Sequence, residues 1–183
     1  MEDQKKLFFI DAETDGLHGP FISVAIIVTD AECNEIDRKY FGIKKDNLKI
    51  LDKWTMEHVV PYLGDYEECL DENELLDAFW IEWTKYKDEA RAVGDVVFPV
   101  EARLFQKCID KNKLDRCFQG PFPLLDISNM LYANGVNPLI ERSLYLKEHN
   151  IILDVNNSNF DVQHNALYDV RVMIEVYKYL KNK

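Results

Sequence analysis

The chain has 183 residues, 47% of them hydrophobic, and its 22 basic and 33 acidic side chains leave a net charge of −11. That length and apolar content suit a single domain spanning residues 1–183 with a genuine core, and the charge excludes avid, nonspecific binding of long duplexes. No apolar run reaches membrane-span length, no signal-peptide core opens the chain, and Cys33, Cys69, Cys108 and Cys117 lack zinc or redox spacing, so a cytoplasmic protein with reduced thiols and no membrane partner is expected.

Leu7-Phe8-Phe9-Ile10 reads as a strand that runs into Asp11-Ala12-Glu13-Thr14. Side chains two apart on a strand share a face, so Asp11 and Glu13 project together among apolar neighbours. Two carboxylates that close raise each other's pKa unless a cation lies between them. A hard divalent ion such as Mg²⁺ or Mn²⁺, which prefers oxygen ligands, accounts for the pair. A strand running out into a solvated acidic turn is the plainer reading of the same residues.

Gly16 and Gly19-Pro20 mark a turn, Phe21 to Val28 a second strand, Ala31 to Glu35 another turn, and Ile36 to Lys44 a third strand. The three form an antiparallel meander. Trp54 to Tyr62 suits a short helix. Asp71-Glu72-Asn73-Glu74 is a capping signal before an amphipathic helix through Leu75, Leu76, Phe79, Trp80 and Trp83, whose aromatics read as core. Arg91 to Gly94 is the expected central strand.

Asp95 stands at the end of that strand. Pro99 suits the first turn of a helix, which places Glu101 in that turn with Leu104 and Phe105 packing inward. Either carboxylate, or both, can ligate a metal; a loop acid and a helix acid favoured by the macrodipole are the alternatives. Arg103, Lys107, Lys111, Lys113 and Arg116 follow, and Arg142 and Lys147 come later; these are candidate backbone contacts, and for most a solvated helix face is the reading preferred.

Phe122 to Ile127 reads as a further strand leading into a helix through Met130 and Leu131, Pro138 to Lys147 as another helix, and Asn150 to Phe160 as a polar loop. In the last segment Ala166, Val170, Met173, Ile174, Tyr177 and Leu180 recur at helical spacing. Asp169 lies at the inner edge of that helix, and Asp161 or Asn165 can cap it. His164 and Asp169 would not share a helical face. They converge only if the histidine hangs from the segment leading into the helix.

Together, Asp11-Ala12-Glu13-Thr14-Asp15-Gly16-Leu17 resembles the first motif of the DEDDh 3′–5′ exonucleases, the DnaQ-like branch of the RNase H-like superfamily. His164-Asn165-Ala166-Leu167-Tyr168-Asp169 resembles their third motif. The resemblance runs from Leu7 to Leu180. It implies an α/β fold with an RNase H-like mixed sheet, the meander plus parallel strands, flanked by helices. The family's middle motif supplies an aspartate near the start of a helix after a central strand. Glu101 has that placement with a longer side chain, whereas Asp95 is the expected residue type several positions early. Asp126 falls in a segment that is structural in that family.

The resemblance further implies two divalent cations, Mg²⁺ or Mn²⁺, held by Asp11, Glu13, Asp169 and the middle acid, about 4 Å apart around the scissile phosphate. His164 would be the general base. Thr14 and Leu17 would bind the terminal nucleotide, the turn offering backbone amides and Leu17 an apolar wedge. The expected activity is hydrolysis of single-stranded DNA or RNA, or of short oligonucleotides, from the 3′ end to nucleoside 5′-monophosphates. Two other readings are a catalytically weak binding module of the same fold and a structure-selective endonuclease. DNA against RNA, pathway and a homo-oligomeric state stay open.

Overall fold

The computed structural model describes residues 6–153 and 164–183. Six strands form one sheet: β1 (Lys6–Thr14), β2 (Phe21–Asp30), β3 (Glu35–Ile43), β4 (Glu67–Cys69), β5 (Ala90–Gly94) and β6 (Leu125–Asp126). Their order is β4-β3-β2-β1-β5-β6. β1, β2 and β3 pair antiparallel, while β4 joins β3, β5 joins β1 and β6 joins β5 in parallel. This is a mixed RNase H-like sheet flanked by helices.

The helices are α1 (Lys53–His58), α2 (Glu72–Tyr86), α3 (Val100–Lys111), α4 (Lys113–Arg116), α5 (Ile127–Ala133), α6 (Arg142–Glu148) and α7 (Ala166–Lys181). The strand alternation of β1 decides which helices meet which residues. Phe8, Ile10 and Ala12 pack with Leu75, Phe79 and Trp83 of α2 and Leu104 and Phe105 of α3. Leu7 and Phe9 pack on the opposite face with Ile127, Leu146, Val170 and Met173. Asp11 and Glu13 continue the Leu7–Phe9 face, which points them toward α7.

Pairing between β1 and β5 runs only from Lys6↔Ala90 to Phe9↔Val93. Beyond it β1 continues through Glu13 along β2 alone, with Asp11 opposite Ala25 and Glu13 opposite Ser23. The two carboxylates therefore stand where the sheet has already opened past the end of β5. That is the place where α/β sheets bind ligands, outside the carboxyl ends of parallel strands.

Several boundaries differ from the sequence-based expectation. The strand expected over Phe122 to Ile127 shrinks to two residues, because the Asp126 carboxylate accepts from the Ser128 amide (2.8 Å) and starts α5 there. The helix expected from Pro138 begins at Arg142, since Asn137 Oδ1 turns the chain by accepting from Leu139 N. Helix α1 stops at His58, and Pro61 is accommodated in a 3₁₀ turn, Val60–Tyr62. β4 and α4 had no expectation. Asn165 caps α7 by accepting from Tyr168 N. Asp161 and most of the expected loop from Asn150 to Phe160 lie outside the described residues. Among the described residues no helix is long and apolar enough to cross a membrane.

Candidate active site

Asp11, Glu13 and Asp169 come together beyond the end of β5. One carboxylate oxygen from each lies within 4.8 Å of the others. β1 supplies two of them by its period of two, and the first turn of α7 supplies the third. Burial and mutual repulsion hold all three carboxyls high. Asp11 is raised well above the usual range, first by burial and then by Asp169, Glu13, Glu101 and Asp95. Burial and Asp169 push Glu13 up to about 8, and burial pushes Asp169 up to about 7. Carboxylates packed this closely fit a divalent cation, which would relieve both causes at once.

Glu101 is 3% exposed and sits in the first turn of α3. Burial raises its pKa, opposed by its own amide and that of Ala12, while Asp95 and Glu13 raise it further. Contact with the Ala12 amide brings the Glu101 carboxyl to the strand between Asp11 and Glu13. Gly94 makes room for it: a Cβ there would lie 3.3 Å from Glu101 Cγ and 2.8 Å from Val97 Cγ1.

Asp95 has a different partner. Arg142 Nε and Nη2 donate to its two oxygens, each at 2.7 Å, and both side chains are largely buried. Arg142 also donates to the carbonyls of Pro138 and Ile140. It is thus not part of a solvated helix face, as expected for most of the basic residues. Lys107 pairs with Glu72, and Lys111 and Arg116 pair with Asp77, so those cations also have carboxylate partners.

His164 hangs ahead of α7. Its backbone is left-handed (φ 70°), which costs about 1 kcal/mol for a non-glycine residue. Its amide donates to Asp169 Oδ2 at 3.1 Å, which helps to hold it in that conformation. Burial and His58 lower the imidazole pKa. A cavity of about 210 Å³ is lined by Asp11, Asp95, Arg142, His164, Asp169, Val172 and Met173. It shares Asp95, Arg142, Asp169 and Val172 with a second, of about 240 Å³, walled by Val96, Leu139, Ile140 and Tyr168.

The turn after β1 is engaged internally. Thr14 Oγ1 donates to Gly16 O (2.7 Å), Asp15 N to Pro20 O and Gly16 N to Thr55 Oγ1. The amides of Asp15 and Gly16, expected to face a nucleotide, are therefore already used. Leu17 is 60% exposed at the tip. Asp126 accepts from Val96, Val97 and Ser128 and acts as a loop tie.

No protein-family profile and no curated protein sequence matches the chain. Solved structures do. Exonuclease I of E. coli in a zinc-bound complex with single-stranded DNA superimposes with a TM-score of 0.65 at 18% identity, covering 98% of this chain and 41% of that one. A product-bound exonuclease I gives 0.61 at 15% identity, covering 99% and 44%. The enzyme of Methylocaldum szegediense gives 0.58 at 16%, covering 97% and 40%. The chain spans about two fifths of the length of these proteins.

The chain has the fold of these exonuclease I structures.

Within this fold, one contact of the site was not anticipated from the sequence. Trp54 of α1 is half exposed, stacks on His58 (centroids 5.0 Å, 13°) and meets the His164 ring edge-on (4.9 Å, 83°). An exposed tryptophan at the start of a six-residue helix is the only local hint, and it does not point to a residue 110 positions later.

Proposed function

We propose that this protein is a metal-dependent 3′–5′ exonuclease that shortens single-stranded DNA or RNA to nucleoside 5′-monophosphates, acting as one exonuclease domain. The observation that carries this reading is the convergence of Asp11, Glu13 and Asp169, of which Asp11 and Asp169 line one cavity together with His164. The likeness to exonuclease I bound to single-stranded oligonucleotides supports the same substrate class.

Asp11, Glu13 and Asp169 would hold the cations, with Glu101 reaching in from α3. An all-oxygen donor set suits Mg²⁺ or Mn²⁺. When bound, such ions polarise the phosphate and acidify water. His164, with its pKa lowered, is neutral at pH 7 and can accept the proton of an attacking water on a ring nitrogen. Asp169 fixes that residue through its amide. Asp95, neutralised by Arg142, forms a wall of the cavity rather than a ligand. Trp54 offers an apolar face next to His164 on which a terminal base can stack, and Leu17 a second exposed apolar contact. With Arg142, Lys107, Lys111 and Arg116 each paired to a carboxylate, grip on the strand is confined to its last few nucleotides.

The test is digestion of 3′- and 5′-labelled single-stranded DNA and RNA with Mg²⁺ or Mn²⁺. Activity should vanish in EDTA, return with either ion, stop at a 3′-phosphate and yield mononucleotides. Equal cleavage of a circular single strand would replace this reading with an endonuclease, and no cleavage of any substrate would leave a binding module.

A further inference from the structure

Asn165 lies between His164 and the helix that carries Asp169, and it is 3% exposed. Its Oδ1 accepts from Tyr168 N (3.1 Å), and its carbonyl accepts from Asp169 N (3.0 Å). The Nδ2 donates twice, to Tyr62 O (2.9 Å) and Leu63 O (3.2 Å). A helix cap needs only the oxygen, which serine, threonine or aspartate provides equally well. Only an amide side chain adds two donors at the same position. The second function is therefore what selects asparagine here.

The carbonyls it holds end a strap, residues 51–63, that meets the site at His164. At the other end the Asp15 carboxylate accepts from Leu51 N (2.9 Å) and Asp52 N (2.8 Å). Between these ties the strap carries Trp54, whose ring meets that of His164. Leu63 is fully buried with Ile22 and Val59, and its carbonyl also accepts from the Tyr40 hydroxyl (2.7 Å). The anchor is thus a fixed point of the core. His164, one residue before Asn165, has a disfavoured left-handed backbone that must be held from outside.

We infer that Asn165 is a positioning residue, which clamps the start of α7 to the 62–63 carbonyls and so fixes the His164 ring against Trp54 for catalysis. This rests on the exonuclease reading proposed above.

Asn165→Ser keeps the cap oxygen and removes both donors. Steady-state digestion of labelled single-stranded DNA with Mn²⁺ should show kcat down roughly 10- to 100-fold and KM changed by less than about threefold. Calorimetric Mn²⁺ affinity should stay near wild type, because the carboxylates of Asp11, Glu13 and Asp169 are unchanged and Asn165 keeps its carbonyl bond to Asp169 N. Unchanged kcat, or kcat and Mn²⁺ affinity falling together, would overturn the inference. Should the serine variant fail to fold, Asn165→Thr is measured at a temperature where its circular dichroism is native, with the same criteria. A second readout needs no activity. The His164 ring resonances, displaced by the Trp54 ring current, should move in Asn165→Ser to where Trp54→Ala puts them. If they do not move, the clamp does not set the ring, whether or not the protein proves to be a nuclease.

Discussion

Asp95 and Arg142 are joined by two parallel hydrogen bonds of 2.7 Å across 47 positions of sequence. The pair satisfies Asp95 with a cation of the protein's own, whereas Glu101 has only backbone amides to favour its charge. On the proposed function, Glu101 rather than Asp95 is expected to be the middle-motif ligand. Glu101→Gln should lower turnover by at least about a thousandfold and weaken Mn²⁺ binding. Asp95→Asn should cost about 10- to 100-fold, typical of a group that orients its neighbours. Both variants are compared under identical Mn²⁺, with folding checked because removing Asp95's charge leaves Arg142 unpaired. Full activity in both would send the search for the ligand to Asp126.

Gly94 tests the same acid through space. Its missing Cβ leaves room for Glu101 and Val97, and Gly94→Ala would press on both. Activity should fall by more than tenfold, an estimate of the order expected from displacing a reacting group by about 1 Å. Tm should fall by only a few degrees, roughly what 1 kcal/mol costs a chain of this size. A variant that melts normally and cleaves normally would mean that Glu101 does not need its present place.

The clustered carboxyls make metal-free stability depend on pH. The folded-state pKa values of Glu13 and Asp169 are raised, to about 8 and about 7. Between the unfolded value and these, the folded state binds more protons than the unfolded state, so stability drains away as pH rises. Metal-free protein should melt lower at about pH 8 than at about pH 5.5, with Mn²⁺ reversing the loss mainly at the higher pH. Asp11→Asn should flatten that slope, raise the metal-free Tm and abolish turnover. Melts in EDTA and in Mn²⁺ check the first two and a turnover assay the third, and wild-type turnover in Asp11→Asn at saturating Mg²⁺ would remove the metal assignment.

Trp54 is expected to act on binding as well as on His164. Base stacking on an aromatic ring is worth about 1–3 kcal/mol, so Trp54→Ala should raise KM by about tenfold or more, and Trp54→Phe should restore most of it. A KM that stays at wild type in the alanine variant would confine Trp54 to holding the histidine.

The sequence by itself determined the features that depend on near neighbours. Strand periodicity put Asp11 and Glu13 on one face, and capping signals placed α2 and the Glu101 turn. The five-residue spacing required His164 to hang outside the helix that bears Asp169. Each follows from bond geometry and hydrogen bonds within a few residues. What only the tertiary structure decided was which distant side chains meet. Asp95 and Glu101 were both candidate ligands in the sequence, and the chain path brings Arg142 onto Asp95. Arg142 looked like any basic helix residue, and Trp54 like any helix aromatic. Asn165 was readable as a cap, yet its two donors found Tyr62 and Leu63, 103 and 102 positions away. Partners that distant are set by how helices pack on the two faces of the sheet, and no local pattern in a single chain encodes which side chain will be opposite.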